Sequence, residues 1–161
     1  MKKIVRMVWI GALSGLAFLI ACCSSSRGLT KEEKQRLTNE RDSIKNVLKT
    51  HWMATPEDNP VAKAEYDAET ERLQYQIDSI NYCLGKNVDL DKSRERLEQS
   101  KQRSTIQYRI SQLKEALHFR ETACIYGSPE VMKEYGKETQ RMRQELKDLE
   151  SQLEEMDNKK K

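Results

Sequence analysis

The stretch "MKEYGKETQRMRQELKDLESQLEEM", residues 132–156, decides the fold. Met132, Tyr135, Thr139, Met142, Leu146, Leu149, Leu153 and Met156 recur at alternating steps of three and four. That spacing places them along one stripe of an α-helix, as the a and d positions of a heptad do. Of the eight, only Thr139 is not apolar. The positions between them are almost all charged or amide residues, so the helix offers a narrow seam and a wide solvated face.

The same pattern recurs upstream. Tyr66, Thr70, Leu73, Ile77, Ile80 and Leu84 form one seam, Ile106, Ile110, Leu113, Leu117 and Cys124 another, and Leu37, Ile44 and Leu48 a third. Punctuation separates the four segments. Pro56 and Pro60 fall in "MATPEDNPVA", Pro129 in "IYGSPEVM", and Gly85 opens "LGKNVDLD"; Gly136 is the one helix breaker inside a segment. Thr30 with Glu33 makes a capping box for a first helix from Lys31 to about Trp52. Asn59 caps a second that stops at Leu84, with Gly85 as its left-handed C′ residue. The third is expected to begin after Asp91 and end near Tyr126. Ser128-Pro129 starts the fourth.

Charged residues make up 34% of the chain and aromatic residues 6%, a composition that suits long exposed helices and excludes a thick core or a sheet. Short connections make neighbours antiparallel. The expected class is therefore all-α: four long helices in two antiparallel, coiled-coil-like hairpins, preceded by a helix in the leader. A compact four-helix bundle and a looser pair of hairpins both fit. The first parts of helices one and three show little apolar surface, so that end is expected to be the weaker one.

The hairpins resemble each other. In "EYDAETERLQYQIDSI", Glu65, Tyr66, Glu69, Thr70 and Arg72 match Glu134, Tyr135, Glu138, Thr139 and Arg141 of the opening stretch. Pro56-Glu57 aligns with Pro129-Glu130, Arg36-Leu37-Thr38 with Arg109-Ile110-Ser111, and Ile44 with Leu117. Heptad register explains the aliphatic matches; it does not explain a shared Tyr, Thr and Pro-Glu. An internal duplication is the expected cause. The Glu69/Arg72 and Glu138/Arg141 pairs at i, i+3 read as ordinary helix-surface pairs.

The chain opens "MKKIVR", followed by fourteen uncharged residues from Met7 to Ile20. That run is shorter than the roughly 20 residues a spanning helix needs and fits a secretory h-region. At its end, Leu19-Ile20-Ala21-Cys22 resembles the lipobox of bacterial lipoproteins. The resemblance implies cleavage before Cys22, a diacylglycerol on its thiol and a further acyl chain on its amine. Cys22 and not Cys23 is the modified residue, because Ala21 fills the small-residue slot. Two or more chains give a stable membrane anchor. Three of the 29 basic residues precede Cys22, so the processed chain holds 26 against 26 acidic residues. No basic excess remains to support nucleic-acid binding.

The organisation that follows is a signal peptide at 1–21, a lipidated linker at 22–29, a first hairpin at 30–85, a connector at 86–90, a second hairpin at 91–158 and a basic tail at 159–161. His51 and His118 have no second ligand at metal spacing, and the serines lie in no nucleophile or phosphate-loop motif. No catalytic residue, metal or cofactor is expected. Cys83 and Cys124 are placed roughly 35 Å apart by helical rise, too far for a bridge within one chain.

The hairpin tips remain. Trp52 and Met53 precede the first loop, Ile125 and Tyr126 the second, and Tyr66 and Tyr135 follow within two turns. Aromatic anchors of this kind mark protein interfaces, so these six residues are the expected partner-binding surface. The implied protein is a lipid-anchored, non-catalytic scaffold with a protein partner in the envelope, and a homo-oligomer stays open. Cys23 stands where the inner-membrane retention signal has Asp, which implies the outer membrane, facing the periplasm. A cell-wall tether is the alternative: a lipidated helical chain ending in lysine, here Lys161, is similar to the murein lipoprotein. A small-molecule or lipid carrier is the second alternative.

Overall fold

The computed structural model describes residues 28–51, 56, 58–122 and 126–158. They form four helices, α1 Lys31–His51, α2 Pro60–Cys83, α3 Leu90–Thr122 and α4 Pro129–Asn158, with no strand among the described residues. The chain is all-α, built of antiparallel helical hairpins. The leader and Cys22 lie outside the described residues.

Local chemistry sets the helix ends. At α1 the Thr30 amide donates to Glu33 Oε2 at 2.8 Å, and the Glu33 amide donates to Thr30 Oγ1 at 3.2 Å. The capping box is thus closed from both sides. The backbone and side-chain hydrogen bonds of Thr30 hold the Glu33 carboxyl below its ordinary range. Asn59 Oδ1 accepts from the amides of Val61 and Ala62 at α2. Gly85, with φ 77°, ends that helix; its amide donates to the Tyr82 carbonyl and the Lys86 amide to that of Asn81, so the last carbonyls are satisfied.

α3 departs from expectation at its start. Its cap is Asp89, whose carboxylate accepts from the Lys92 amide at 3.0 Å; Asp91 falls in the first turn, where its charge favours the helix dipole. In the last described turn the Thr122 hydroxyl turns back to the His118 carbonyl at 2.8 Å.

Two compact units divide the chain. Of the described residues, one gathers 28–51 with 70–97, the other 56 and 58–69 with 98–122 and 126–158. The division falls inside α2 and α3.

In the first unit Leu37 of α1, Leu73, Ile77 and Ile80 of α2 and Leu97 of α3 are buried. Each such side chain contributes about 1.5–3 kcal/mol through its removal from water. The start of α3, which shows little apolar sequence, is packed all the same, because Ser93 is small enough to be buried at 2% exposure. Its hydroxyl donates to Asp78 Oδ2 at 2.6 Å. Arg96 reaches the same carboxylate at 3.4 Å and Glu71 at 3.8 Å. Asp78 meets residue 93 while Glu71, earlier in α2, meets residue 96, so the two helices run antiparallel. This polar cross-link fixes their register, since a slip of one turn would strand the serine hydroxyl.

The second unit buries Ala64, Ser100, Ile110, Leu113 and Leu117. Here α4 lies antiparallel to α3. Arg109–Glu145 (2.7 Å) and Arg120–Glu138 lie on one flank of the α4 seam; Arg103–Asp157, Lys114–Glu150 (2.8 Å) and Arg143–Glu121 (2.9 Å) lie on the other. Glu138 and Glu145 stand one heptad apart, as do Arg143, Glu150 and Asp157. They hold the g and e positions that border the apolar a/d stripe.

Leu113→Ala should lower stability by about 2–5 kcal/mol in urea unfolding. Asp78→Ala, which removes the acceptor of buried Ser93, should lower it by about 1–3 kcal/mol.

Candidate interaction surface

The α3–α4 hairpin ends in a turn whose shape depends on Gly127. A Cβ on Gly127 would stand 3.0 Å from Val131 Cγ1 and 3.2 Å from its Cβ, so a side chain there would crowd the first turn of α4 and Val131 would have to give by a few tenths of an ångström. Ser128 caps α4, with its carbonyl accepting from the Met132 amide at 3.0 Å. Hydrogen bonding at this cap holds the Glu130 carboxyl below its ordinary range.

Two tyrosines of the expected surface lie at this end and have different environments. Tyr135 is half-buried and engaged within the chain. Its hydroxyl donates to the Arg120 carbonyl at 3.1 Å, and its ring lies 4.3 Å below the Arg120 guanidinium carbon. Arg120 in turn donates to the Tyr135 carbonyl at 3.3 Å and to Thr139 Oγ1 at 3.4 Å, and its other nitrogen pairs with Glu138. Each residue holds the other's main chain. The clamp explains why Thr139 interrupts an otherwise apolar seam: its hydroxyl receives the guanidinium and donates to the Tyr135 carbonyl at 2.8 Å. It also corrects the reading of Glu138, whose partner is across the hairpin.

Tyr126 stands in the turn itself, 93% exposed. Two residues that the seam analysis passed over share its end of the hairpin, Phe119 in the last turn of α3 (70% exposed) and Val131 in the first turn of α4, beside the seam's own Met132. Phe119 was legible in principle, because it lies off the Ile106–Leu117 seam and therefore faces outward. Tyr66 is half-buried in α2. Trp52, Met53 and Ile125 lie outside the described residues, as does Cys124. Tyr75, also off the seam, is half-buried in α2, whereas Tyr82 is exposed.

Among the described residues no group of His, Cys, Asp and Glu could hold a metal ion, and no helix is long and apolar enough to cross a membrane. Comparison with protein-family models, curated proteins and solved structures found no match.

The ion pairs that brace this hairpin are pH-sensitive in a defined direction. The hydrogen bond from Arg109, opposed by partial desolvation and helped by its charge, holds the Glu145 carboxyl below the ordinary value of 4.5; the same pair raises Arg109. A carboxylate lowered on folding stabilises the folded state above its unfolded pKa, and that contribution is lost as pH falls through the folded value. The stability gap between wild type and Arg109→Gln should therefore hold steady from neutral pH to just above 4.5 and close below it. Urea unfolding at a series of pH values measures it, and a gap that persists through the acid range contradicts the pairing.

Proposed function

We propose that this protein is a lipid-anchored, non-catalytic helical scaffold of the bacterial cell envelope that presents the turn of its second hairpin to a protein partner. The observation that carries the reading is Tyr126 at 93% exposure, with Phe119 at 70%, beside a hairpin held by ion pairs on both flanks. Large apolar side chains left in water at a braced turn are what an interface anchor needs, because little order remains to be acquired on binding. The lipobox-like Leu19-Ile20-Ala21-Cys22 supports the anchor, and Cys23 supports the outer membrane, with the body facing the periplasm.

Two measurements test this. Mass spectrometry of the membrane-bound product should find a diacylglycerol thioether on Cys22 and no residue before it, and Cys22→Ser should release the chain from the membrane fraction. In intact envelopes, crosslinking should capture a partner that Phe119→Ser with Tyr126→Ser loses. Both positions are exposed, so those changes should shift stability by no more than about 0.5 kcal/mol. Undiminished capture by the double variant overturns the turn as the contact surface. A muropeptide covalently joined to Lys161 would make the protein a cell-wall tether instead.

A further inference from the structure

α4 is held differently from the helices beside it. α2 and α3 each bury aliphatic side chains, whereas α4 buries none. Its seam from Tyr135 to Met156 is half-covered throughout, and Met132 is 46% exposed. The ion pairs on its flanks add to the attachment, and several stand in water: Lys114 and Glu150 keep 59% and 46% of their side-chain surface, Arg143 and Glu121 60% and 53%, while Arg103 and Arg120 keep 27% and 17%.

The attraction also has a long-range part. α4 carries nine acidic residues against five basic, and α3 eight basic against five acidic. Salt screens both parts, with a Debye length of about 10 Å at 0.1 M and about 3 Å at 1 M.

The helix itself is weakened at two places. Gly136 lies inside it, with nothing within 4 Å of the position its Cβ would take, so its cost is one of conformational freedom and serves no close contact. Among the described residues no basic residue occupies the last turn, and Glu154 and Glu155 bring negative charge to the negative end of the helix dipole.

We propose that α4 is a detachable strap: it leaves α3 as a unit while α2 and α3 stay packed together, and rising ionic strength promotes its release. Release uncovers the apolar face of Leu113 and Leu117, bordered by Arg109, Lys114 and Arg120. The exchange experiment below tests how the hairpin is held and leaves the partner-binding reading to its own crosslinking test.

Hydrogen exchange of the full chain at neutral pH, read by mass spectrometry, tests it. In about 0.05 M NaCl, amides of residues 139–153 should exchange at least about tenfold faster than those of 73–80 and 97–113. In about 0.5 M NaCl that ratio should widen by about threefold or more. Gly136→Ala should slow exchange in α4 by about fivefold and leave α2 unchanged. A single rate shared by α3 and α4, a ratio indifferent to salt, or an α4 rate unmoved by Gly136→Ala would each overturn the strap.

Discussion

Arg109 with Glu145 and Arg120 with Glu138 close one side of the α3–α4 seam, while Arg103, Lys114 and Glu121 engage Asp157, Glu150 and Arg143 on the other. A helix with one charged residue in three cannot carry a broad apolar face, so the seam is only a few side chains wide. Such a seam discriminates poorly among partners, since any a/d stripe fits any other. The charges beside it supply the choice. α1 has six basic residues against four acidic, α2 five acidic against two basic, and the sign alternates again through α3 and α4. Consecutive helices therefore attract, and antiparallel pairing of chain neighbours is favoured over swapped orders.

Depth of burial and charge divide the labour. Where α2 meets α3, small residues let the backbones approach: Ser93 and Ser100 are buried, and Asp78 ties the first of them to its own helix. Where α4 meets α3, the larger side chains Met142, Leu146 and Leu149 remain half-covered, and arginines and lysines span the gap. In the first contact Asp78 keeps only 13% of its side-chain surface.

Much of this was legible in the sequence. Caps and seams depend on residues within four positions of one another, so Thr30 with Glu33, Asn59, Gly85 and the α4 stripe read correctly from order alone. Partners chosen in three dimensions did not. Serine carries no hydrophobic signal, which hid the packed start of α3, and Glu138 had a plausible local arginine at Arg141 that its true partner, Arg120, displaced. The shift of the α3 cap from Asp91 to Asp89 reflects two equivalent carboxylates two residues apart. At the candidate surface, Tyr126 and Tyr135 looked alike in sequence; only the position of Arg120 shows that one is committed to main-chain carbonyls and the other is not.

That same arginine bears on the duplicated hairpins. The alignment that pairs Ile44 with Leu117 places Val47 opposite Arg120. The first copy keeps the tyrosine and threonine, as Tyr66 and Thr70, but has no guanidinium at the position that binds them in the second. Whatever Tyr66 engages, it is not this clamp, and Val47 is left 48% exposed. The two aligned sequences differ at this position, Val47 against Arg120. In the second copy Arg120 draws Tyr135, Glu138 and Thr139 into one contact, which anchors the first turns of α4 where Gly136 weakens them. With that end of the helix secured by polar contacts, the apolar residues around it, Phe119, Tyr126 and Val131, are not needed for packing and stay in water.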